Sequence, residues 1–379
     1  DVGGLLPAQY EDLEALTVEA DEGDDSIVVD IAGTDLIGEA LTVDGGAGSD
    51  SLTVSGTPSV TVNDVTYDPG PTADAGQLSY DSTGTDMAIS FTGLEPVIDL
   101  VPAATLTVNG TGADNAISFT RGSVTANGLV AVDGFETIEF SNKTSLVLNG
   151  AGGSDEISIN NPDTPTGLTG ITVNTGDPVG GSDSLVVHAD SGGADSLVVS
   201  PTAQGAGTVV RSAAVDVDYT GTEHIDLVGQ LGEGDTMGVD GTSAYDLFEY
   251  FSGLTPDRGT VEGMLDNGSF TLPNVEFSGM SPVATRTFNT GTTGGEDDFL
   301  FRGTFSDDEI AYDGAGGVTN AIDGSTIATI QVGTAAAGGS TTGVVIEGDD
   351  GDDTIAVAPE DDVSVLVRGG NNSTGSDVL

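Results

Sequence analysis

The chain has 379 residues, with 62 Asp and Glu against 7 Lys and Arg, for a formal charge of −55. Such a polyanion is excluded as a binder of nucleic acid and disfavoured at anionic membranes. It has no Cys, hence no disulfide or thiolate metal site, and no apolar run near the roughly 18 residues that span a bilayer, so direct membrane insertion is not expected.

Apolar residues make up 37% of the chain and fall in tidy alternating runs, so the chain reads as folded and not as an acidic disordered segment. Ala8 to Leu16 is the one stretch with helical spacing. From Ala15 the pattern is β: Ala15-Leu16-Thr17-Val18 running to Asp25-Ser26-Ile27-Val28-Val29 recurs 25 positions on as Ala40-Leu41-Thr42-Val43 running to Asp50-Ser51-Leu52-Thr53-Val54. Strand, Gly/Asp loop and strand return at Leu106 to Asp114, at Leu146 to Asp155 and at Ile171 to Val187, and further copies end at Asp195, Asp235, Asp353 and Asp377. A longer element interleaves with these, since Val132 to Phe140 matches Tyr219 to Leu227, with Gly93 to Leu100 a weaker third example. Between Thr242 and Gly343 the repeat blurs and aromatics gather at Tyr245, Phe248, Tyr250 and Phe251.

Self-similarity of this kind points to stacked repeats. The expected fold is all-β: an elongated β-solenoid, parallel β-helix-like, with Leu, Val and Ile inward and Asp/Gly loops along an edge. Tandem small β-sandwiches use similar strands and stay open as the alternative. The expected organisation is a repeat solenoid over 1–241, a degenerate repeat or β-rich insert over 242–343, and further repeat over 344–379, continuing beyond the last residue.

Gly45-Gly46-Ala47-Gly48-Ser49-Asp50-Ser51-Leu52-Thr53 fits the calcium-binding nonapeptide G-G-x-G-x-D-x-U-x at every specified position. Gly150 to Ser158 fits with Ala151 in place of the second Gly. Glycines permit a tight turn, Asp supplies a charged oxygen, and hard oxygen ligands select calcium over transition metals. The candidate ligands are Asp21, Asp24, Asp25, Asp50, Asp114, Asp155, Asp183, Asp195, Asp235, Asp349, Asp350, Asp352, Asp353 and Asp377. Two carboxylates roughly 5 Å apart repel by about 3 kcal/mol at an effective dielectric near 20, so the loops at Asp21 to Asp25 and Glu347 to Asp353 are strained without a cation. Solvated turns, or a surface adapted to high salt, explain the same acids without ligation.

At these residues the chain resembles the calcium-binding repeats-in-toxin proteins, and more closely the large Gly/Asp-rich repetitive surface proteins of bacteria, where Gly152-Gly153-Ser154-Asp155-Glu156-Ile157-Ser158-Ile159-Asn160-Asn161-Pro162 resembles a common passage. The resemblance implies an extracellular, calcium-stabilised β-solenoid used in adhesion, a surface layer or a matrix. In the toxin repeats, however, nonapeptides follow one another directly, whereas Asp25 and Asp50 lie a full repeat apart. The β-roll itself is therefore not expected, and neighbouring rungs must bring the loops into a column.

His188 and His224 lack partners at metal or triad spacing, and Asn109, Asn142 and Asn267 head sequons short enough to arise by chance. The dispersed basic residues argue against a β-helix polysaccharide-degrading enzyme, the third reading. The first is a secreted, non-enzymatic structural protein of a cell-surface layer (S-layer), extracellular fibre or matrix, self-associating and stabilised by Ca2+. The second is an adhesin module whose stretch Tyr245 to Phe251 contacts a carbohydrate, such as a cell-surface glycan, or a receptor.

Overall fold

A computed structural model describes residues 15–33, 35–38, 40–176, 182–190, 192–212, 214–282, 285–289, 297–322, 324–333, 341–358, 362–370 and 377–379. The protein is all-β, with no helix among these residues. Ala15 and Leu16, included in the stretch with helical spacing, open the strand Ala15–Glu19 instead, and the rest of that stretch lies outside the described residues. The chain divides into two compact units, Asp1–Gly181 and Ser182–Leu379.

Within the first unit the repeat becomes a parallel pairing. Ala15–Glu19 runs beside Ala40–Asp44 with Ala15 opposite Ala40, and Ser26–Asp30 runs beside Ser51–Ser55 with Ser26 opposite Ser51. Each strand sends alternate side chains to opposite faces. Leu41, Val43, Leu52 and Val54 are accordingly buried, while Ala40, Thr42 and Asp44 are exposed. Later members continue the stacking: Ala103–Asn109 pairs with Lys143–Asn149, and that strand with Gly170–Asn174.

The sheets are mixed because antiparallel excursions interrupt the parallel succession. In one sheet Val62–Pro69, Ala75–Ser82 and Met87–Thr92 form a meander whose outer members pair in parallel with Ala103–Asn109 and Ala40–Asp44. The other sheet inserts Ala116–Arg121, Gly128–Val132 and Ile138–Phe140 in the same manner. The longer sequence element, Val132 to Phe140, is the return leg of such a meander, and Ile138–Phe140 lies parallel to Val97–Asp99 from the weaker copy.

The second unit repeats the plan. Ser196–Ala203, Ala206–Arg211 and Val217–Thr220 form one meander; Leu247–Ser252, Gly259–Leu265 and Asn274–Ser278 form another; Asp308–Tyr312, Gly317–Ile322 and Ser325–Val332 form a third. Strands inside 242–343 pair in parallel with strands on either side: Arg286–Asn289 with Thr236–Asp240, and Asp297–Arg302 with Thr341–Glu347. Aromatic packing replaces aliphatic packing there, with Tyr250 stacked 5.6 Å from Phe301 and 6.1 Å from Phe277, and Phe248 5.8 Å from Phe288. The larger side chains and the hairpins blur the repeat in the sequence.

Candidate functional site

The Asp/Gly turns join the strands, and the parallel registers stack turn on turn. Around the complete nonapeptide the backbone itself pairs: Ala47 N–H donates to the Asp21 carbonyl at 2.8 Å, and Gly23 N–H to the Ala47 carbonyl at 2.9 Å. So close an approach accounts for the glycines. A Cβ on Gly46 would lie 1.9 Å from the Asp21 carbonyl oxygen, and one on Gly48 would lie 1.8 Å from that of Gly23. Four residues before the last Asp of each turn, the backbone is left-handed at Asp21, Gly46, Ala151 and Asp349, a conformation Gly and Asp adopt more readily than most residues.

The terminal Asp of each turn reaches its neighbour. Asp25 N–H donates to Asp50 Oδ1 at 2.7 Å, Asn115 N–H to Asp155 at 2.8 Å, Asp195 N–H to Asp235 at 2.8 Å, Asp246 N–H to Asp297 at 2.7 Å, Asp308 N–H to Asp353 at 2.9 Å and Asp353 N–H to Asp377 at 3.2 Å. At the equivalent position in another turn, Asp183 N–H donates to Glu223 at 2.8 Å. These acceptors are largely buried, Asp50, Asp235 and Asp353 completely. On some turns the second oxygen closes the turn itself, with Gln230 N–H donating to Asp235 at 2.6 Å, Thr242 N–H to Asp246 at 2.6 Å and Thr304 N–H to Asp308 at 2.7 Å, whereas Oδ2 of Asp50 and of Asp353 is buried without a hydrogen-bond partner.

One residue earlier the direction reverses. Ser49 N–H donates to Asp24 Oδ1 at 3.0 Å, Ser154 N–H to Asp114 at 2.8 Å, and Asp352 N–H to Asp307 at 3.0 Å. Two adjacent residues therefore clamp a turn to the next one reciprocally. This clamp forms at separations of 25, 40 and 45 residues. A parallel amide ladder runs along the strand ends of the first unit: Asn174 Nδ2 donates to Asn149 and Asn149 Nδ2 to Asn109, each at 2.8 Å, and Asn109 Nδ2 to Asp68 at 2.7 Å.

The candidate ligands thus separate into two groups. Asp25, Asp50 and Asp155 in the first unit, and Asp183, Asp195, Asp235, Asp353 and Asp377 in the second, take the inner place of the clamp, while Asp24, Asp114 and Asp352 take the outer place. Asp21 and Asp349 supply left-handed turn positions, and Asp350 is exposed beside Asp349. Calcium takes six to eight oxygens, and no three acidic or imidazole side chains converge into a metal group among the described residues. Backbone N–H groups point at one oxygen of Asp50, Asp155, Asp235, Asp353 and Asp377, while the second oxygens of Asp25, Asp50 and Asp353 are buried with no hydrogen-bond partner and remain available to a cation. Exposed Asp21, Asp24, Asp114 and Asp350 are further positions where a cation has access.

Burial pushes the Asp353 carboxyl up to about 6; the N–H of Asp308 lowers it, and the charges of Asp308, Asp377 and Asp307 raise it further. Asp308 is raised as well, by burial first. Of the aromatic stretch, Phe248 and Tyr250 are fully buried core residues, Tyr245 donates its hydroxyl to Asp298 at 2.9 Å, and Phe251 alone lines a surface cavity of about 380 Å³ with Arg258, Thr260 and Glu276. The reciprocal clamp and the Asn ladder are not apparent from the sequence without a register, although the Asn that ends the strand at 109, 149 and 174 carried a trace of the second. No protein-family model matches the chain, and no curated protein sequence matches it.

Proposed function

We propose that the protein is a structural repeat scaffold of a cell-surface layer, extracellular fibre or matrix, built as an elongated solenoid of stacked turns. The observation that carries this reading is the reciprocal clamp, in which the chemistry-bearing residues of the turns are spent on holding one turn to the next. Buried acids used as acceptors for backbone N–H groups keep the turns in step, and the amide ladder does the same along the strand ends. Calcium in this reading acts at the exposed outer acids, where it offsets the repulsion of a chain at −55. Small-angle scattering with and without chelator tests the proposal. A rod-like particle in calcium is expected, with chelation at constant ionic strength reading how far calcium holds it; a globular particle in calcium would overturn it.

A second reading, an adhesin module, is favoured by the cavity at Phe251. The Phe251 ring, over which the Arg302 guanidinium lies 5.5 Å from the centroid, borders a cavity with Glu276, Thr260 and Arg258, whose donors and acceptors suit a sugar. Phe251→Ala should abolish binding to any glycan the protein captures on an array. Unchanged capture would remove this reading.

A further inference from the structure

Lys143 is the only lysine of the sequence, and it is fully buried. Lysine is almost never enclosed in this way unless paired, and in a chain with 62 acids every exposed position would have offered it a partner. Its partner is a single carboxylate, Asp99, also fully buried, with Nζ 2.9 Å from Oδ2. That approach lies outside hydrogen-bond geometry, because Oδ2 has no hydrogen-bond partner. The ammonium instead donates to the carbonyls of Val101 and, at 3.4 Å, Ser141. Those two carbonyls fix the nitrogen against the carboxyl group. The other carboxylate oxygen, Oδ1, accepts the Val101 N–H at 3.1 Å.

We propose that Lys143 and Asp99 are the precursors of an intramolecular isopeptide bond that joins the two sheets of the first unit. A proton passes from Nζ to Oδ2, leaving a neutral amine facing a carboxylic acid in a site closed to water. The amine lone pair attacks Cγ, forming the C–N bond, while charge that develops on Oδ1 is met by the Val101 N–H, an oxyanion-type donor. The C–Oδ2 bond then breaks, Oδ2 takes a proton from the nitrogen, and water leaves. The products are an amide and one water, with no oxidant or further reactant required. Tyr80 sits beside Asp99, and burial, followed by the Asp99 charge, pushes its hydroxyl far above the usual phenol range, so it stays a neutral O–H donor for the departing oxygen. Holding the reacting groups in place supplies the entropic advantage that free amines and acids lack. The bond would tie the strand Val97–Asp99 to the strand Lys143–Asn149, which lie in different sheets. It needs nothing from the scaffold reading and would stand if that reading fell.

Intact-mass spectrometry of the denatured protein decides it. The expected mass is about 18 Da below that of the sequence, the mass of one water, with a proteolytic fragment containing Asp99 covalently linked to one containing Lys143. Lys143→Arg and Asp99→Ala should each restore the full mass, which can be read whether or not the variants fold. Tyr80→Phe should slow the loss of water in freshly synthesised protein. A full sequence mass in the wild type, with Lys143 open to an amine-directed label after denaturation, would overturn the proposal and leave a buried ion pair. A deficit that persists in Lys143→Arg would overturn it equally, by placing the lost water elsewhere, as at an Asp-Gly bond.

Discussion

Asp235→Ala tests the inner place of the clamp most directly. The carboxylate is fully buried, with one oxygen accepting Asp195 N–H at 2.8 Å and the other Gln230 N–H at 2.6 Å. Alanine leaves both donors without acceptors. A buried N–H stripped of its acceptor costs ~1–3 kcal/mol; taking ~2 kcal/mol for the buried Asp195 bond and ~1 kcal/mol for the part-buried Gln230 bond gives about 3 kcal/mol. For a unit of this size that corresponds to a fall in Tm of about 6–12 °C. Asp235→Asn keeps one carbonyl oxygen and turns an amide NH2 toward the other donor, so it should lose about half as much. Scanning calorimetry, run once with calcium and once with chelator at equal ionic strength, reads the result. If the carboxylate serves N–H groups, the loss is the same in both. A loss confined to the calcium sample would make Asp235 a metal ligand, and a change below about 0.5 kcal/mol, the scale of an ordinary surface substitution, would refute the clamp altogether.

Gly48→Ala should destabilise the first unit by well over 2 kcal/mol in urea unfolding, because the new Cβ meets a neighbouring carbonyl oxygen at 1.8 Å and the backbone must move. Asn149→Leu, which removes the central amide of the ladder, should cost about 1–2 kcal/mol by the same assay, with Asn149→Gln no substitute because its longer side chain breaks the spacing. For Asp353 the sign runs toward acid stability. An unfolded aspartate titrates near 3.9, whereas this one titrates at about 6 in the folded chain. The folded state therefore holds more protons between those values, and its contribution is fully present below about pH 4 and lost as the pH rises through about 6. Asp353→Asn should flatten that part of the Tm–pH curve relative to wild type; an unchanged slope would count against the shift.

Much of the fold was legible because period-2 alternation and a 25-residue echo are local signals. The pairing of Ala15 with Ala40 and of Ser26 with Ser51 could be read by aligning the chain with itself. The meanders could not. Val62–Pro69 pairs antiparallel with Ala75–Ser82 and parallel with Ala103–Asn109, and nothing in the alternation of a strand says which neighbour it takes on each edge. The turns drew attention for their acids, and the backbone bonding of those acids is a second chemistry that the pattern alone does not spell out. A G-G-x-G-x-D pattern follows from close stacking of carbonyls and from an acceptor for the next backbone N–H, as well as from calcium. Phe248 and Tyr250 show the same ambiguity: an aromatic cluster at alternating positions faces the core, and the register leaves only Phe251 to the solvent side.

The reciprocal clamp involves only two adjacent residues on each turn, and it closes equally well whether 25, 40 or 45 residues intervene. Everything between successive dipeptides is thereby released from any fixed count. A lineage can lengthen an arc, slip in a hairpin, or copy a whole rung by tandem duplication, and the newcomer will dock provided it brings its own acid and its own amide in that order. Because the inner and outer bonds point opposite ways, a rung entering upside down finds neither. Growth of such an array is permissive in size and strict in polarity.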